Sequence, residues 1–554
     1  MACQPLVDSR GQENQRTGCP VDPACAAVAH ERARLAATCA PDFIWVDDHC
    51  RMRQGCFCPR CLAGFQDGAW SERAELVAAL DAPDRSDLRQ AWIAYTAQRL
   101  SDFCAGQRAA VDAVDPAIAM GFMMVGGDSD AACGTYVTDC CRALRAVKAR
   151  PGHGWYRDDD RIGLLRKTLE DARTISQRLP EHTTDIQHEY ESWPGGSLDK
   201  GRRSSVLEIT NAIAAGCTGV AMNARHAMGV PSERDAALHQ ALAQQRAFWR
   251  ELVAVSRGLP LQGMLLPQDS DRLARVPLHG AGLWDADRQL VTAAAQADQW
   301  YAHGVPPAVT QAQANGVFLP GSVAAWASDE QLRAWLHGFA ILDGDAVRVC
   351  HERGLGALVG VTAGEFLPSV HERLSAHPLN GSAAGAEYVD PAPWVWPLQV
   401  QEETVAVLGD LLDLRHRVVG AATTCYENPA GGRVAVLGHC PWHRIDLPAR
   451  WQQLQAILRW GTHDRMPVAI DQPVRVLPWW RCSTDGSRGV LVASNLSLDE
   501  TGPLRISLRC TARRARLLAA TGADTGLVCE RSAEHLVCRI ADIPAWSAVA
   551  IVAE

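Results

Sequence analysis

Residues 42–48 read DFIWVDD. A short apolar run that ends in acids is the pattern of a buried parallel strand whose C-terminal end opens into a site. The flanking sequence repeats the theme. Residues 86–114 place Leu88, Trp92, Tyr95, Leu100, Phe103 and Val111 at helical spacing, and Pro116 stops that helix. AIAMGFMMVG (117–126) reads as the next buried strand, 161–179 as a helix, and TDIQHEYES (184–192) as extended chain. SVLEITNAIAAG (205–216) is a helix closed by Gly216 as C-cap, and TGVAMNA (218–224) follows as a strand. Strict alternation of strand and helix predicts an α/β fold with parallel pairing and right-handed crossovers, as a barrel or as a doubly wound sheet. No glycine-rich phosphate loop follows any of these strands, which disfavours the nucleotide-binding version.

A helix over 235–257 ends at Gly258-Leu259-Pro260, and a second alternating unit starts at GMLL (263–266). It takes in GVFLP (316–320), a helix near 328–338, FAILDG (339–344) and HERGLGALVGV (351–361). Residues 376–400, rich in Pro, Gly, Ser and Ala, read as linker, and RVAVLG (433–438) with a helix over 449–460 as a return to the second unit. From about 472 the runs are short, β-rich and separated by turn residues, as in an antiparallel sandwich. Three domains are expected, over 1–258, 259–470 and 471–554. A chain of 554 residues is too long for a single core, which stops growing near roughly 250–300 residues.

The bulk composition narrows the partners. Lys and Arg number 54 against 63 Asp and Glu, a formal charge of −9, which opposes a nucleic-acid partner. No apolar run reaches the roughly 18 residues of a membrane helix, and the N-terminal segment lacks an apolar signal core. A cytoplasmic location with no membrane partner is the default expectation, and the 20 Cys are then thiols before they are disulfides.

Three of those Cys are tightly spaced. Cys56, Cys58 and Cys61 form C-x-C-x2-C in QGCFCPRCLAGF. Three thiolates this close suit three corners of a tetrahedral Zn2+ site, and Cys19, Cys25, Cys39 and Cys50 are candidates for the fourth. A four-thiolate site has no open position, so such a zinc is structural. The alternative is a set of plain buried thiols.

The acids form the second constellation. Asp47, Asp48 and His49 end the first strand, and Glu189 and Glu191 end TDIQHEYES. In extended chain those two Glu share a face with Gln187. Acids at the C-terminal ends of parallel strands are where barrel enzymes place chemistry, and cleaving a glycosidic bond needs two carboxylates. Acids at strand ends also simply cap helices or pair with Arg. Trp155, Tyr156 and Trp193 lie just past strand ends, where aromatic rings stack on sugars or merely pack.

RTGCPVDP (16–23), a helix, DFIWVDDHC (42–50) and CFCPRCLAGF (56–65) together resemble glycoside hydrolase family 42, the β-galactosidases of clan A. The resemblance implies a (β/α)8 TIM barrel, a flavodoxin-like α/β domain of the trimerisation type, carried by 316–344, and a homotrimer. It implies a zinc held by Cys19, Cys56, Cys58 and Cys61. It sets Asp48 as acid/base, with the register open by one residue, and Glu191, followed by Pro194, as nucleophile, with Glu189 as the alternative. His49, Asp47, Trp193 and Asn223 would shape the substrate pocket. Two departures stand out. The family's Asn-Glu is Asp-Asp here, and the first three barrel strands of the family would precede the Cys-Pro segment, where this chain has only a short stretch.

The expected activity is thus retaining hydrolysis of a terminal β-glycosidic bond, on an oligosaccharide or glycoside and without a diffusible cofactor. The rivals are a catalytically inactive sugar-binding barrel and a metal-dependent hydrolase built on Asp47, Asp48 and His49.

Overall fold

A computed structural model describes residues 3–47, 55–124, 134, 136–152, 154–192, 199–223, 235–278, 282–283, 289, 295–367, 370–390, 395–439, 442, 445, 447–518 and 525–554.

A two-stranded hairpin, β1 (Pro5–Val7) and β2 (Glu13–Gly18), precedes helix α1 (Pro23–Ala37). Asp22 caps α1 by accepting from the Cys25 backbone N–H, and Pro23 sits at the first helical position, where its missing N–H costs nothing. Strand β3 (Phe43–Asp47) follows, then α2 (Pro59–Gly64), α3 (Arg73–Leu80) and the long α4 (Ser86–Asp112). The alternation continues through β4 (Ala119–Met123), α5 (Tyr136–Leu144), β5 (Lys148–Arg150), α6 (Arg161–Arg173), β6 (Asp185–Glu191), α7 (Arg202–Ala215), β7 (Gly219–Asn223) and α8 (Ala236–Ser256). Sequence reading missed the hairpin, α2, α3, α5 and β5. Three residues of β5 carry too little periodicity to register.

Strands β3 to β7 form one sheet in strict sequence order, every pair parallel, five strands among the described residues. Val46, Phe122 and Ala149 lie in register and are buried in a core shared with α4 and α5. Helix α7 is buried along almost its whole length. It ends at Gly216, whose φ of 123° is one that a side chain rarely tolerates.

The second sheet contains a parallel part and an antiparallel part. Taken in chain order, Gly263–Leu265, Pro307–Ala308, Ala314–Leu319, Phe339–Asp343 and Arg433–Leu437 are its parallel strands. Their spatial order is 2-1-3-4-5, the flavodoxin-like order. Val418–Glu427, Ala406–Leu412, Val370–Leu374 and Glu387–Asp390 extend it as an antiparallel wing. The expected linker 376–400 therefore carries strands Glu387–Asp390 and Leu398–Val400. The first fills an edge position, paired on one side only, where regular hydrophobic alternation is not required.

The C-terminal strands form two antiparallel sheets packed over a common core of residues such as Ile470, Trp480, Leu491, Ile506, Cys538 and Ile551. This sandwich is locked onto α7. Arg481 donates to the carbonyls of Ala214 at 2.7 Å and Ala215 at 2.6 Å, and Trp479 donates to Asn211 at 2.7 Å.

Candidate active site

Side chains alternate across β6, and the two faces differ in chemistry. His188 and Tyr190 point to the helices: His188 meets Asp171 of α6, and Tyr190 shares a hydrogen bond with Ser205 of α7 at 2.8 Å. Asp185, Gln187, Glu189 and Glu191 therefore share the opposite, open face. Asp47, Met123 and Arg150 are in register on neighbouring strands. In-register residues of parallel strands point the same way, and their neighbours Val46, Phe122 and Ala149 fill the helix-side core. So Asp47 lies on the open face with the two Glu. Lys148 and Asp185, level with Trp45 and Gly121 on the same face, form an ion pair.

Glu189 is sealed into this face. Its Oε1 receives the Arg150 guanidinium at 2.9 Å, with side chains only 18% and 8% exposed. Gly152 lies against its other oxygen: a Cβ on Gly152 would fall 2.8 Å from Glu189 Oε2 and 2.4 Å from the Met124 carbonyl oxygen. Glu191 is half-buried, and its carboxylate lies near the Tyr156 phenol. Burial, with the nearby carboxylates of Glu189 and Glu191, pushes the Tyr156 pKa up to about 12, so the phenol keeps its proton and remains a donor. Trp155 is buried, and its ring carries the Lys200 ammonium 4.8 Å from its centroid, which is a packing role.

Asn223 ends β7 exposed, level with Glu191. Asp47 ends β3 exposed. Asp48, His49 and Trp193 lie outside the described residues.

On the helix side of β6 lies a buried charge cluster that sequence reading did not find. Glu208 of α7 takes the Lys167 ammonium at 2.9 Å and the Lys200 ammonium at 2.6 Å, and His188 Nε2 lies 3.1 Å away. His188 Nδ1 is 2.7 Å from Asp171. Burial alone would raise the Glu208 pKa, but the two lysine charges overcome it and bring it to about 2. Burial lowers Lys200 to about 8, against the pull of the Glu208 carboxylate. These groups are spread over 42 positions of sequence from Lys167 to Glu208, on two helices, a strand and a loop. No local pattern announces them; the one available signal was polar residues inside otherwise buried helices.

The thiols converge as well. Cys19, Cys56, Cys58 and Cys61 are fully buried, and their Sγ atoms all lie within 4.8 Å of one another. Cys19 Sγ is 3.5 Å from Cys61 and 3.8 Å from Cys58. Tetrahedral coordination with metal–sulfur bonds of about 2.3 Å spaces sulfurs about 3.8 Å apart, so this set could hold such a cation. The hairpin delivers Cys19 just past β2, and Cys58 and Cys61 occupy the N-cap and first turn of α2. The Val7 N–H points at Cys56 Sγ at 3.5 Å, a contact that favours a thiolate. Arg60 joins the two halves through Asp22 at 3.0 Å.

No sequence-family model matches the chain, and no curated protein matches it. Solved structures do. The α-L-fucosidase isoenzyme 2 of Paenibacillus thiaminolyticus superposes with a TM-score of 0.65 at 12% identity, covering 99% of this chain and 84% of that one. The β-galactosidase of Bacillus circulans sp. alkalophilus gives 0.60 at 12% identity, over 99% and 86% of the two chains. The family 42 β-galactosidase Gan42B gives 0.60 at 11% identity, over 99% and 85%. This chain has the fold of the family 42 β-galactosidases. The likeness read from the Cys-Pro segment and the C-x-C-x2-C cluster holds at the level of fold, across nearly the whole chain. No described helix is long and apolar enough to cross a membrane.

Proposed function

We propose that this protein is a glycoside hydrolase that cleaves a terminal β-glycosidic bond by a retaining, two-carboxylate mechanism. One observation carries the reading: Glu191 sits at the C-terminal end of a parallel strand, half-buried on the open face and level with the exposed Asn223. That is where a barrel enzyme places its nucleophile. Glu191 is favoured over Glu189 because the Glu189 carboxylate is occupied by Arg150 and walled by Gly152. The general acid, later base, comes from the Asp47–Asp48 pair, with Asp48 set by the resemblance and the register open by one residue to Asp47, which ends β3 on the shared face.

Strands β3 and β6 are third neighbours, roughly 14 Å apart in a flat sheet. Barrel curvature turns such strands to face each other across a lumen, from which a sugar ring is gripped on both sides. An Asp is one methylene shorter than Glu, so its reach differs and the sugar need not be galactose. Asn223, beside Glu191 in register, is suited to a sugar hydroxyl. A structural zinc on Cys19, Cys56, Cys58 and Cys61 would pin the hairpin and α2 beside the end of β3, and the homotrimer expected from the resemblance belongs to the same reading.

The test is Glu191→Gln against a panel of aryl β-glycosides. The variant should fold normally and lose at least 1,000-fold in kcat, and a 2-fluoro glycoside should label the wild-type Glu191 peptide (fold-change on the order of removing a nucleophile). Labelling of the Glu189 peptide would move the role to Glu189, and full activity of the variant would reject the reading.

A further inference from the structure

The carbonyl groups of both candidate nucleophiles lie beyond the end of the strand that should pair with them. In a parallel strand the N–H and C=O of one residue point to the same side. The Glu189 N–H reaches the Pro151 carbonyl at 3.3 Å, so the carbonyls of Glu189 and Glu191 also face the β5 side. Strand β5 has ended at Arg150. Two buried lysines stand in for the missing ladder: Lys167 Nζ donates to the Glu189 carbonyl at 2.7 Å and Lys200 Nζ to the Glu191 carbonyl at 2.9 Å. Both ammonium groups are bridged by Glu208, at 2.9 Å and 2.6 Å, and side-chain exposure of the three groups is 1% or less.

We propose that Lys167, Lys200 and Glu208 are positioning residues that fix the backbone of the acid-bearing end of β6 and so set the reach of Glu191 into the open face. This rests on the reading of Glu191 as nucleophile. An ordinary structural ion pair would bind side chain to side chain. Here each lysine spends a donor on a carbonyl of the strand that carries the acids, one on each. Lys200 is held further by the rings of Trp155 and Tyr190, 4.8 and 4.9 Å from its ammonium. Lys200 lies two residues before α7 begins at Arg202, so its contact also ties the start of that helix to the strand end. A hydrogen bond to a charged donor at a strand end is stronger than the neutral ladder bond it replaces.

The experiment compares the wild type with Lys200→Met, which removes donor and charge, and Lys200→Gln, which keeps a donor and guards against a fold lost with the charge. Two readouts are taken on each: amide hydrogen exchange and steady-state kinetics on an aryl β-glycoside. Lys200→Met should speed exchange of the 188–192 amides roughly tenfold while β4 amides stay unchanged, because only the local end opens. It should lower kcat roughly 10- to 100-fold with KM little altered, the signature of a misplaced reacting group. Lys200→Gln should fall between. Unchanged exchange at 188–192, or exchange raised equally in every strand, overturns the proposal whatever the activity. Raised local exchange with undiminished kcat also overturns it. A wild type that turns over no glycoside, with exchange raised locally in Lys200→Met, leaves the strand anchor standing and removes the glycosidase reading instead.

Discussion

The Arg150 guanidinium meets the Glu189 carboxylate at 2.9 Å on the open face of the parallel sheet, across the gap between β5 and β6. Both side chains are largely shielded from water. Removing one partner of such a pair leaves an uncompensated charge, which costs about 3–5 kcal/mol, whereas the intact pair is close to neutral against an apolar substitute. Arg150→Met should therefore lower unfolding stability by about 3 kcal/mol. The double variant Arg150→Met, Glu189→Leu should recover most of it. Urea titration of the three proteins checks this, and a loss that persists in the double variant would mean that Arg150 acts through other contacts.

Gly152 offers a second check on the same corner. A Cβ there would overlap the Met124 carbonyl at 2.4 Å and the Glu189 carboxylate at 2.8 Å. The backbone oxygen cannot rotate away, so the backbone at the end of β4 or at residue 152 must shift and the Glu189 side chain must give way. Overpacking of this kind costs about 1–3 kcal/mol. Gly152→Ala should thus lose stability and, under the glycosidase reading, lose kcat more than KM. A variant with wild-type kinetics would show that Glu189 need not stay where Arg150 and Gly152 hold it.

The parts of this molecule that could be read in the sequence are those with a local signature. DFIWVDD, AIAMGFMMVG, TDIQHEYES and TGVAMNA each became a strand of one parallel sheet in chain order, because a buried strand needs only its own apolar run. Cys19 could be placed with Cys56, Cys58 and Cys61 by resemblance alone; spacing left Cys25, Cys39 and Cys50 equally open. In the fold Cys25 and Cys39 lie apart from the cluster. Arg150, Gly152, Lys167, Lys200 and Glu208 stayed invisible. A lysine on a helix normally marks the wet face, and only the packing of α6, β6 and α7 reveals Lys167 and Glu208 as buried partners. The strand Glu387–Asp390 hid in a Pro/Gly-rich stretch because an edge strand needs neither length nor apolar alternation.

The four thiols give a prediction independent of catalysis. The purified protein should carry about one zinc per chain, with an absorption-edge spectrum of four sulfurs at about 2.3 Å. Cys56→Ser should lose the metal and loosen the hairpin, since the Val7 N–H and the Phe57 N–H to Val7 carbonyl contact at 2.8 Å flank that residue. Limited proteolysis near 5–20 would report the loosening. Protein free of metal with the hairpin equally protected would reduce the cluster to packed thiols.

The buried cluster behind β6 gives the acid side of the stability profile. Glu208 has its pKa brought down from 4.5 to about 2, burial opposing and the Lys167 and Lys200 charges prevailing. A carboxyl depressed in the folded state binds fewer protons there than in the unfolded chain, so its contribution is present above pH 4.5 and is lost as pH falls toward 2. At 1.36 kcal/mol per unit the contribution is about 3 kcal/mol. His188 works the other way. Burial would lower its pKa, but the Asp171 charge raises it above 6.5, so its contribution is present below pH 6.5 and fades as pH rises through the folded value. Together the two groups favour folding most between about pH 4.5 and 6.5. The stability gap between wild type and Glu208→Gln should be widest there and should shrink steadily from pH 4.5 to 2, measured by urea unfolding at each pH. A gap that stays constant across that range would mean that Glu208 is no lower in the folded protein than in the unfolded chain, and that the lysines hold the strand end without its charge.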